Sequence, residues 1–172
     1  MFEYYNSINK IPEYRYEEMN QIMYDFHLKI TNNNPAFELH GKNYDNWVNM
    51  IRNDENYNII LYIENNKIIG LICYGYYNNE LMISEIQIIE EYQYKGLVKL
   101  LLKEMIKQLD LSRFNGTVCG TIRNDNEHSK QVFTHIGMKP QEEDSLNKNY
   151  KLYKISYDDL VKYLDNNKEY TK

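Results

Sequence analysis

The chain has 172 residues, 42% hydrophobic and 26% charged, with a formal charge of −5. That length suits one domain with a substantial core, and the composition is that of an ordinary soluble globular protein. The negative balance excludes a nucleic-acid scaffold built on a basic stripe, and no apolar run is long enough to cross a bilayer. Residues 1–6 lack the basic and apolar regions of a signal peptide, so a cytoplasmic location without nucleic-acid or membrane partners is expected.

Residues 3–8 read as a leading edge strand. Tyr16, Met19, Ile22, Met23, Phe26 and Ile30 recur at the spacing of one helical face, and the polar cluster 31–34 before Pro35 ends that helix. A second short helix covers 44–52. Apolar runs at 58–63 and 68–76, joined by an Asn-containing turn, predict a hairpin. Asn78 and Asn79 then lead to a third strand at 81–89, completing an antiparallel meander.

The clearest helix is 95–110, where Val98, Leu101, Leu102, Met105, Ile106 and Leu109 form one stripe. A strand follows at 116–122. Asn124 with Glu127 predicts a capping box for a helix that carries Ser129, Val132, Phe133 and Ile136 on one face and stops at Gly137. A late strand at 150–155 precedes a small helix from Ser156. There is no internal repeat or low-complexity linker, so residues 1–172 are expected to form one domain. Residues 156–172 are then a C-terminal helical appendage, which either packs on the core or mediates a homodimer.

Residues 84–99 carry the chemistry. An apolar strand runs through a polar turn into Gln93-x-x-Gly96 and then directly into the helix. The first turn of a helix has amides without partners and a dipole that favours negative charge, while glycine leaves room for a phosphate to approach. This segment points to a transferase that uses an acyl-CoA.

The ordered set of three strands, Gln93–Gly96 helix, strand and Asn-led helix resembles the GNAT N-acetyltransferase superfamily over about residues 57–155. The resemblance implies an α/β fold: a mixed, largely antiparallel central sheet flanked by helices, with a splayed strand pair forming the acetyl-CoA slot. It also implies acetyl transfer from acetyl-CoA to a primary amine, either a small molecule or an exposed protein amine, without a metal. In such a protein the backbone of Tyr94, Lys95, Gly96, Leu97, Val98 and Lys99, opened by Gln93, would hold the pyrophosphate of the cofactor. Main-chain groups of Ile86 and Ile88 would run beside the pantetheine arm, Asn126 would touch the cofactor, and the Ile88 N–H would be the oxyanion donor.

Three positions depart from the family pattern. Val98 stands where glycine or alanine is usual. Phe133 occupies the place of a tyrosine that protonates the leaving thiolate, and Thr121 the place of a catalytic glutamate in some members. Val98 and Phe133 keep open an alternative, a CoA-binding or interaction module with impaired catalysis, and Phe133 with Thr121 weakens the likeness to the protein N-terminal acetylating branch.

Glu85 is the candidate general base. It interrupts an apolar strand, and burial would raise its pKa toward the working pH; a surface or salt-bridged carboxylate is the plainer reading. Tyr74, Tyr76 and Tyr77 could line an acceptor pocket, but packing explains them better. His27, His40 and His128 lack metal-ligand spacing, and His135 falls on a solvated face. Cys73 and Cys119 sit inside apolar runs and read as packed thiols in a reducing compartment, forming neither a disulfide nor a zinc site.

Overall fold

A computed structural model describes residues 1–31, 42–142 and 148–166. The strands are β1 (Phe2–Tyr5), β2 (Asn58–Glu64), β3 (Lys67–Tyr77), β4 (Glu80–Ile88), β5 (Thr117–Arg123), β6 (Lys139–Pro140) and β7 (Tyr150–Ser156). The helices are α1 (Glu13–Ile30), α2 (Tyr44–Arg52), α3 (Leu97–Lys107), α4 (Glu127–Ile136) and α5 (Tyr157–Asp165). The described strands form one open sheet in the order β1-β2-β3-β4-β5-β7-β6. Every adjacent pair is antiparallel except β4 and β5, which run parallel.

Alternation along the strands builds a core on each face. Ile60, Ile72 and Tyr74 meet Leu101, Leu102 and Met105 of α3, Phe133 and Ile136 of α4, and Leu160 and Leu164 of α5. Ile59, Leu61, Leu71 and Cys73 face the other way, against Met19 and Met23 of α1 and Trp47, Val48 and Ile51 of α2. Helix α5 therefore packs into the core, with Leu160 and Leu164 wholly buried.

Several local expectations need correction. The buried face of α1 is Arg15, Met19, Met23 and His27, one row of i, i+4 neighbours; the half-buried Ile22 and Tyr16 pack along its flank. The end of the helix agrees with expectation, at Ile30 with Thr31 as its cap; residues 32–35, like His40, lie outside the described residues. Asn126, not Asn124, caps α4, accepting a hydrogen bond from the Ser129 N–H at 3.1 Å. The Asn124 side chain instead donates to the Lys148 carbonyl.

Two features shape the centre of the sheet. The first is a bulge. Tyr74 pairs with Ile83 and Cys73 with Glu85, leaving Ser84 as the extra residue. A bulge re-aims the residues that follow it. Leu81 and Ile83 point into the α3 core before it, Ile86 and Ile88 after it. That reversal of phase turns Glu85 toward α1 and α2. The second feature is a fork. Strands β4 and β5 pair only at Leu81–Val118 and Met82–Cys119, and then diverge.

Candidate active site

The fork opens into a cavity of about 510 Å³ bounded by β4, β5 and the start of α3 and α4, with Phe26, His27 and Trp47 at its α1–α2 side. The β4 edge of the fork presents main-chain groups that β5 no longer pairs. Ile89 donates its N–H to the Ile69 carbonyl of β3 at 3.0 Å. In an extended strand the preceding residue presents its amide to the opposite edge. The Ile88 N–H and carbonyl thus face the fork, and there the Gln93 side-chain amide donates to the Ile88 carbonyl at 3.0 Å. The Gln93 side chain therefore fastens the turn to the strand.

The turn itself is tight. Tyr94, 88% exposed, takes a φ of 62°, and Gly96 takes a φ of 76° as the residue preceding α3. No side chain caps this helix. The first intrahelical acceptor is the Gly96 carbonyl, bonded by the Leu100 N–H, so the amides of Leu97, Val98 and Lys99 precede any helical acceptor. A Cβ placed on Gly96 would meet no atom within 4 Å. Val98 packs against the α3 core, which accounts for the branched residue, and it also lines the cavity. Lys95 lies over the Tyr92 ring, and Lys99 donates to the Asn166 carbonyl while facing the Tyr163 ring. Asn126 lines the same cavity.

Glu85 sits deeper, its side chain 16% exposed. Burial pushes its carboxyl up to about 7, against a hydrogen bond from Gln87 that pulls it down. His27 Nε2 lies 3.8 Å from a Glu85 carboxylate oxygen, and its ring meets those of Tyr44 and Trp47 edge-on. The position of His27 along the chain carries no metal-ligand spacing. Its phase in the Arg15–Met19–Met23 row was the signal available.

Other candidates fall away from the cavity. Tyr74 and Tyr76 belong to the core, Tyr77 donates to Asp54, and none of the three lines the fork. Burial pushes the Cys119 thiol up to about 12, with Glu80 adding to it, and raises Cys73 further. Neither is a nucleophile near neutral pH. Phe133 and Thr121 both line the fork. Among the described residues, no group of three or more His, Cys, Asp or Glu side chains could hold a metal. Nor, among them, is any helix long and apolar enough to cross a membrane.

One family model matches the chain over residues 16–138, the span that holds the splayed strands and the glycine-led start of α3. The chain belongs to the acetyltransferase (GNAT) family. Solved structures agree on the fold. A GNAT-family acetyltransferase from Staphylococcus aureus Mu50 is 13% identical, with a TM-score of 0.68 over 91% of this chain and 99% of that one. The PaiA N-acetyltransferase of Thermoplasma acidophilum, solved with coenzyme A, is 13% identical with a TM-score of 0.65 over the same shares. NAA60 of Arabidopsis thaliana, solved with acetyl-CoA, is 12% identical with a TM-score of 0.60 over 92% and 99%. No curated protein matches the chain by sequence.

Proposed function

We propose that this GNAT chain is an acetyl-CoA-dependent N-acetyltransferase acting on a primary amine, of a small molecule or exposed on a protein. The observation that carries the reading is one continuous cavity joining the free amides of α3 to the half-buried Glu85. Acetyl-CoA would supply an activated acyl carbon and a thiolate leaving group. Its fit rests on the open space above Gly96 and on the unpaired edge of β4.

The residues divide the work by position. Amides from Tyr94 to Lys99 hold the diphosphate at the positive end of the helix dipole. Ile86 and Ile88 lie along the fork beside the pantetheine arm, with Asn126 on its other wall. The Ile88 N–H, aimed into the fork, stabilises charge developing on the carbonyl oxygen. Glu85 takes a proton from the acceptor nitrogen, and a carboxyl near 7 suits that task. Phe133 donates no proton, so the thiolate leaves toward solvent. Fixing nitrogen and carbonyl in one cavity lowers the entropic barrier.

The test is calorimetry with CoA and acetyl-CoA, followed by thiol release over a panel of amines. Binding with turnover on at least one amine supports the reading. Binding without turnover on any amine leaves the non-catalytic CoA module, which the phenylalanine at position 133 favours. Absence of binding overturns both.

A further inference from the structure

Acetylating an amine at neutral pH removes two protons from one nitrogen. The acceptor arrives as an ammonium with three N–H bonds, and the amide product keeps one. The N–C bond forms, the C–S bond breaks, one proton ends on the departing sulfur through solvent, and one is released. A single carboxylate holds only one proton at a time. It must discharge the first before it can take the second.

His27 is placed to meet that need. It is 6% exposed, it lines the cavity with Glu85, and its Nε2 stands 3.8 Å from the Glu85 carboxylate. The bulge at Ser84 turns Glu85 toward this imidazole. Tyr44 and Trp47 of α2 pack edge-on against the ring and hold its orientation. Resting on the acetyltransferase reading, we propose that His27 is the second proton station of the site, accepting through Glu85 the proton that the carboxylate must shed before it is used again. His27 acts through Glu85 and is a positioning residue.

Other groups that face Glu85 do not titrate in the working range. Tyr44 of α2, Tyr57 before β2 and Cys73 of β3 are each raised far above neutrality, mainly by burial. Gln87 of β4 carries no charge. Among the described groups around the carboxylate, the His27 imidazole stands nearest as a nitrogen base, 3.8 Å away.

The experiment is thiol release with an accepted amine between pH 5.5 and 9.5 for the wild type, His27→Gln and His27→Phe, with CoA affinity measured alongside. Glutamine keeps a polar group of similar reach and accepts no proton, so it rescues a packing role and not a proton role. The expected result is a kcat about 10- to 100-fold lower in both variants with unchanged CoA affinity. The pH profile of kcat differs in shape between the wild type and His27→Gln. Full activity in His27→Gln overturns the proposal, and so does a pH profile that the substitution leaves unchanged. A wild type that binds CoA and acetylates no amine sinks the enzyme reading itself.

Discussion

The ring of Phe133 lies against Gly120 so closely that a Cβ built on the glycine would come within 2.6 Å of the ring edge. The Ile83 carbonyl would stand 3.1 Å from the same Cβ. Gly120 is the first residue of β5 beyond its paired stretch with β4, so glycine sits at the apex of the fork, between a helix wall and a strand. Gly120→Ala is expected to push Phe133 outward and to cost about 1–3 kcal/mol through overpacking. In a chain of this length that is roughly 2–4 °C of melting temperature per kcal/mol. Thermal unfolding checks it, and an unchanged melt would show that the ring yields freely.

Gly96 presents the opposite case. A Cβ added there would meet no neighbouring group within 4 Å, so the demand for glycine comes from the backbone conformation, at φ 76°. Gly96→Ala should destabilise by about 1 kcal/mol and weaken CoA binding, because relief of the strain rotates the amides of the first turn. Gly96→Asn should lose less of both, since asparagine tolerates the left-handed region. Calorimetric CoA titration of the two variants is the check, and equal losses would refute the backbone argument.

At the far end of α3, Glu104 is 8% exposed and receives the Tyr4 hydroxyl at 2.5 Å and the Lys107 ammonium at 2.8 Å. Burial alone would raise its carboxyl, yet these hydrogen bonds, from Lys107 and Tyr4, hold it below the ordinary value of 4.5. A depressed carboxyl stabilises the fold above its unfolded value and loses that contribution as the pH falls through the folded one. Tyr4→Phe should cost about 1–2 kcal/mol at neutral pH and shrink the loss of stability below pH 4.5. Denaturant melts at pH 7 and pH 3.5 test both halves, and equal acid loss in variant and wild type would break the link.

The elements of this fold were legible because their signals are local. The β2–β3 hairpin, the stripe of α3 and the Gly137 stop each declare themselves within a dozen residues. The α3 start was legible only to within two residues: the apolar stripe places it at Lys95, and the left-handed Gly96 delays it to Leu97. What escaped was long-range. The Ser84 bulge shows only as a change of phase between Ile83 and Ile86, easily taken for a continuous strand. The pairing of Glu85 with His27 joins residues 58 positions apart and exists only because the bulge turns one toward the other. Asn124 and Asn126 both suit a cap, and the Lys148 carbonyl, supplied by a distant loop, decides between them.

The clearest pH signature belongs to Glu85. Its carboxyl is raised from 4.5 to about 7, chiefly by burial, so the fold prefers it protonated. The sign follows. This preference is fully present below 4.5 and is lost as the pH rises through about 7. Wild-type stability should therefore decline between pH 5 and 8 relative to Glu85→Gln, which carries no proton to lose. The difference approaches about 3 kcal/mol at the alkaline end and vanishes near pH 4. Activity runs the other way. The carboxylate is the form that accepts a proton, so kcat/KM should climb through pH 7, and Glu85→Gln should lower kcat by roughly 10²- to 10⁴-fold with CoA affinity intact. Parallel urea melts and rate profiles of the two proteins measure both trends. If the variant gains no relative stability at pH 8, Glu85 is solvated there, and a surface carboxylate explains it better than a tuned base.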